Sequence, residues 1–151
     1  MIEIIAAIAF FNADISPQEL YCAAHAVYHE ARGEPSEGKI LVADVIKNRV
    51  KSKYYPNSIC EVVYAPHAFS GITKAKDPNP NSVEWLESVK AAALVMSDAA
   101  ADITQGATMY YNPYKIKHPS WDYDKIILGP MIGHHRLVYE KRCTITQTEE
   151  D

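Results

Sequence analysis

The chain has 151 residues, 48% of them hydrophobic and 23% charged, with a formal net charge of −4 at neutral pH. That is the size of one ordinary domain with enough apolar material for a packed core, which excludes wholesale disorder. The acidic balance and the absence of any Lys/Arg block of five or more argue against a nucleic-acid partner.

In chain order, the first segment is MIEIIAAIAFFNA, apolar from Ile4 to Phe11. It is too short to span a bilayer and carries Glu3 where a signal peptide would be basic. It predicts a buried first helix, with no export address and no membrane insertion. Ser16, Pro17 and Glu19 form a capping box that starts a second helix. Leu20, Ala23, Ala24, Val27 and Ala31 give that helix one apolar stripe, and Gly33 and Pro35 end it. A third helix runs from Ser36 to Lys51 with a wide apolar face, and a short one covers 58–64. Residues 65–81 are a long Pro-rich loop, and such loops in compact domains often carry function. Asn81 and Glu84 predict a further capping box, followed by a helix that presents Trp85, Val89, Ala92, Ala93 and Met96 to the core.

After Thr104 the texture changes. ATMYYN (107–112) and IGHHRLVYE (132–140) are rich in aromatic and β-branched residues and predict two strands joined by a long excursion. The last residues read as a solvated tail. The fold class is therefore α+β and mostly helical with a small β-hairpin, organised as one domain over 1–143 and a tail over 144–151. Cys22, Cys60 and Cys143 are too few and too scattered for a disulfide framework, so a reducing compartment during folding is expected.

One stretch, HAVYHEARGE (25–34), carries chemistry-bearing groups at helical spacing. Cys22, His25 and His29 fall at i, i+3 and i+7, opposite the Leu20/Val27 stripe. That spacing permits a metal site and hence a metal-dependent amidase or peptidase. It is not a zincin pattern, because Glu30 follows both histidines instead of standing between them. The bland reading is a polar outer face. Glu30 itself sits at the edge of the apolar stripe and in the last helical turn. Desolvation and the negative end of the helix dipole both favour its protonated form, which suits a general acid. Its bland reading is a surface carboxylate paired with Arg32 or Lys39.

The longer string YHEARGEPSEGKILVADVIKNRV (28–50) resembles the signature of the spore cortex-lytic, SleB-type cell wall hydrolase family. VVYAPHAFS (62–70), GATMYYNP (106–113), PSW (119–121) and IGHHRLVY (132–139) resemble further family segments in the same order. The resemblance covers about residues 20–140. It implies a lysozyme-like catalytic domain that cuts the β-1,4 bond between N-acetylmuramic acid and N-acetylglucosamine in peptidoglycan. Lytic transglycosylases of this kind leave a 1,6-anhydro end. It implies that Glu30 is the catalytic acid and then base, with no metal and no cofactor. Phe69, Ser70, Tyr110, Tyr111, Asn112 and His135 are the implied substrate-binding residues, and Arg32 and Glu34 are candidate supporting ones. Asn112, standing before Pro113, also has an ordinary turn role open to it. Ala65 departs from the glutamine usual in the family. The expected partner is the wall glycan, met by a monomer. A phage endolysin, made in the host cytoplasm and acting on the wall at lysis, is the expected setting.

Overall fold

The computed structural model describes residues 1–148, with side chains as far as Thr144, and its centre is the helix that Ser16 starts. Helix α1 spans Ile2–Phe11, α2 Pro17–Ala31, α3 Ser36–Lys51, α4 Ile59–Tyr64 and α5 Val83–Met96. Strands β1 (Met109–Tyr111), β2 (Ile126–Ile132) and β3 (His135–Glu140) follow, and α6 (Lys141–Thr148) closes the described chain. None of these helices is long and apolar enough to cross a membrane.

Ser16 Oγ accepts from the Glu19 amide at 3.1 Å, as a cap should. The other half of the predicted box is redirected: Glu19 Oε2 accepts from the Cys60 amide at 3.2 Å and so holds the start of α4. Helix α2 is buried almost all round. Cys22, Ala26, Val27 and Ala31 pack into one apolar cluster with α3 and α4, while Leu20, Ala23 and Ala24 pack into another with α1 and α5. Its alanines let four helices approach closely, and such a helix needs no polar face. The expected outer face is therefore corrected, since Cys22 is 1% exposed and His25 7%.

Three further expectations change. Cys22 and Cys60 form a disulfide across α2 and α4, with Cα atoms 5.2 Å apart and a sequence separation of 38. Spacing along the chain does not reveal a pairing that only the crossing of two helices creates. Helix α1 buries Ile4 and Ala7 but leaves Ile2 and Phe10 exposed, because it lies on one side of the bundle. The cap of α5 is Ser82, whose Oγ accepts from the Trp85 amide at 3.1 Å. Asn81 instead donates its amide to Asn79 Oδ1 in the preceding turn.

The sheet is antiparallel in the order β1-β3-β2. Tyr110 faces Leu137 across one ladder and Ile127 faces Tyr139 across the other. Strand β2 was not expected: Gly129 and Pro130 read as breakers, yet they lie at an irregularity on an edge strand, where a missing amide costs no ladder bond. A side chain at Gly129 would collide with the Tyr139 ring. Ile132 belongs to β2, and Gly133, at φ +58°, turns the chain into β3. Of the expected tail, residues 144–148 continue α6, and Thr144 Oγ1 donates to the Lys141 carbonyl. Residues 149–151 lie outside the described residues.

Candidate active site

A cleft of about 790 Å³ opens where the end of α2 meets the sheet and the loops at 67–70 and 112–121. The last turn of α2 delivers Glu30 to it. The chain then bends at Gly33, whose φ of +83° lies in the left-handed region that favours glycine, and Glu34 reaches the same cleft. Glu34 lies tight against the first turn of α3. A Cβ at Gly38 would stand 3.1 Å from the Glu34 Cβ, so glycine there leaves the carboxylate its place. Glu34 Oε2 is 3.6 Å from His134 Nδ1.

Glu30 is half-buried, and burial pushes its carboxyl above the ordinary glutamate range. His29, Arg49 and Lys115 pull the other way without reversing the direction. Arg49 is fixed: its Nε donates to the Thr108 carbonyl at 2.8 Å, and its guanidinium lies over the rings of Tyr55 and Phe69 at 5.3 and 5.4 Å. A carboxyl that burial pushes up, with an anchored cation lining the same cleft, suits a group that gives up a proton and is stabilised once charged.

Tyr110 and His135 meet edge to face at 5.2 Å. Burial, with Glu30 adding to it, holds the Tyr110 phenol well above its usual value, so it remains a neutral donor. Burial lowers the His135 imidazole, and its buried Nδ1 has no hydrogen-bond partner among the described residues. Tyr111 packs edge-on to Trp121 at 5.6 Å, which leaves aromatic faces along the wall.

The cleft thus gathers Glu30, Glu34, Ser70, Tyr110, Asn112 and His135, together with Tyr111. Asn112 also shapes its wall: its Oδ1 accepts from the Tyr114 amide and its carbonyl from those of Lys115 and Ile116. Phe69 is 4% exposed and lies beneath Arg49 as a support instead of lining the cleft. Arg32 lies elsewhere, over the Tyr28 ring at 5.2 Å, because the chain turns at Gly33 between it and Glu34. Arg49, Lys115 and Trp121 line the cleft without having been singled out for a role. Arg49 and Trp121 do lie within the strings 28–50 and 119–121, the signal that could have marked them.

The metal reading fails on its ligands. The Cys22 sulfur is bonded to Cys60. His25 Nδ1 is paired with the Tyr64 hydroxyl at 2.7 Å, and His29 Nε2–H donates to the Ser70 carbonyl at 2.8 Å.

Residues 33–137 match the model of a family described as cell wall hydrolase. The spore cortex-lytic enzyme of Oceanobacillus iheyensis is 36% identical over 100 residues, covering 65% of this chain and 34% of the relative. That of Bacillus subtilis is 35% identical over 101 residues, covering 65% and 30%. The chain therefore spans about a third of the length of these curated relatives. Among solved structures, the catalytic domain of the Bacillus cereus SleB protein is 30% identical, with a TM-score of 0.64, covering 81% of this chain and 90% of that one. The catalytic domain of the germination-specific lytic transglycosylase SleB from Bacillus anthracis is 31% identical, with a TM-score of 0.65, covering 82% and 96%. The fold expected from the sequence, mostly helical with a small sheet, is the one these catalytic domains share.

Proposed function

This chain belongs to the cell wall hydrolase family, and from that premise we propose that it cuts the glycan strand of bacterial peptidoglycan as a lytic transglycosylase. The bond cut is the β-1,4 link between N-acetylmuramic acid and N-acetylglucosamine. The observation that carries the reading is Glu30, its carboxyl pushed up by burial, set in an open, aromatic-walled cleft that a fixed guanidinium also lines.

In this reading Glu30 gives its proton to the glycosidic oxygen, and the C1–O bond breaks toward an oxocarbenium-like centre. The leaving sugar departs as an alcohol. The muramyl 6-hydroxyl then attacks C1, and the Glu30 carboxylate takes the hydroxyl proton. The product is a 1,6-anhydro ring, the acid is restored, and no water is consumed. Arg49 and Lys115 stabilise Glu30 while it is charged. Tyr110, as a neutral donor, and Tyr111 and Trp121, as stacking faces, suit N-acetyl sugars. The wall glycan is its proposed partner, met by a monomer.

Glu34 supports a second reading, because it is another carboxyl group in the same cleft. Were it to activate a water, the product would be a reducing sugar. Mass spectrometry of muropeptides released from purified peptidoglycan separates the two. Anhydro ends, lighter by one water, support the transglycosylase; reducing ends support the hydrolase and overturn it.

A further inference from the structure

His25, Tyr28, His29 and Arg32 do not line the cleft, yet their i, i+3, i+4 and i+7 spacing puts them on one side of α2 and its C-cap. They wall a second cavity of about 440 Å³, bounded opposite by the loop segment that carries Lys76, Asp77 and Asn79. The two cavities share a partition: His29 lines the second, and its Nε2–H donates to the carbonyl of Ser70, which lines the first.

The second cavity has polar groups in search of partners. Arg32 is held over the Tyr28 ring, and Lys76 and Asp77 are exposed. Asp77 forms no ion pair with either cation among the described residues. His25 is 7% exposed, and its Nε2 is buried without a hydrogen-bond partner among the described residues, a state folded proteins seldom leave unexplained. A complementary ligand offers carboxylates to Arg32 and Lys76 and an ammonium group to Asp77. Because the cavities share the His29–Ser70 partition, one ligand spanning both is also favoured.

A peptide attached to a sugar of the strand in the cleft meets both conditions. Resting on the glycan reading above, we propose that this cavity docks the peptide stem of the strand being cut. Stem carboxylates meet Arg32 and Lys76, and a stem ammonium group meets Asp77. The stem hangs from the lactyl group of N-acetylmuramic acid, beside the bond that Glu30 protonates. Binding it would set the register of the strand without touching the reacting atoms.

The test compares peptidoglycan carrying its stems with the same glycan stripped of stems by an amidase, using wild type, Lys76→Gln and Arg32→Gln. The exposed positions of both residues allow the variants to fold, and circular dichroism checks that they do. On stem-bearing glycan each variant should raise KM about tenfold with kcat unchanged, the effect of losing one charge-assisted contact. On stripped glycan wild type and variants should be equal, at the higher KM. Equal KM on both substrates for wild type, or variant effects that ignore the stem, would overturn the proposal. Calorimetry with the free stem peptide separates it from the glycan reading. Binding to wild type and to Glu30→Gln, lost in Lys76→Gln, supports the site even where no glycan is cut. No binding to wild type overturns it.

Discussion

Replacing Asp44 with asparagine should change the pH dependence of stability. Asp44 lies within α3, is 3% exposed, and accepts the Ile103 amide on Oδ2 at 3.1 Å. Burial pushes its carboxyl to about 7; the Ile103 amide and Lys47 oppose this, and neighbouring Asp102 adds to it. The unfolded group titrates near 3.9, so the folded chain holds a proton that the unfolded chain releases. The stability from that proton is fully present below about pH 3.9 and is lost as pH rises through about 7. Between pH 5 and pH 8 the loss amounts to at most about 2–3 kcal/mol. Asparagine copies the protonated form, with an acceptor for Ile103 and a donor for Asp102, and does not titrate. Urea unfolding at several pH values should therefore show the Asp44→Asn variant gaining on wild type by that amount from pH 5 to pH 8. A difference that stays constant with pH would refute the reasoning. The consequence reaches the cleft, because the same loop, pinned by Asn48 to Asp102, Thr104 and the Ala107 carbonyl, leads into β1 and Tyr110.

Two further outcomes follow from the geometry. The Cys22–Cys60 bond closes a loop of 38 residues, worth about 4 kcal/mol in the chain-entropy account. Cys60→Ser should lower the denaturant midpoint, and reductant should lower wild type to the same midpoint while leaving the variant unmoved. Glu34→Gln should keep kcat within about tenfold of wild type if the sugar hydroxyl is the nucleophile, whereas a loss of about 10²–10⁴ would make Glu34 the base. Initial rates on purified peptidoglycan decide between them.

Helix boundaries were legible where periodicity and punctuation agreed. Helix α3 spans Ser36–Lys51 as predicted, bounded by Pro35, and the Leu20 to Ala31 stripe of α2 is fully buried. Strand β2 was hidden because Gly129 and Pro130 interrupt it, and only its edge position makes them tolerable. The cysteine pairing was hidden because it depends on how α2 crosses α4. Glu30 stood out because its string surrounds it closely in sequence. Arg49 did not, because its charge meets the cleft only once the end of α3 lies beside Thr108. Arg32 and Glu34 were grouped by adjacency, and the left-handed turn at Gly33 separates them.

Cleavage in this mechanism depends on the Glu30 proton, and the released muropeptides report on it. Muropeptides released by wild type, by wild type in chelator and by Glu30→Gln would be identified and timed by mass spectrometry, with folding checked by circular dichroism. Anhydro products should persist in chelator and fall about 10²–10⁴-fold in rate with Glu30→Gln, the usual worth of a positioned general acid. A folded Glu30→Gln variant that releases products at the wild-type rate would contradict this mechanism.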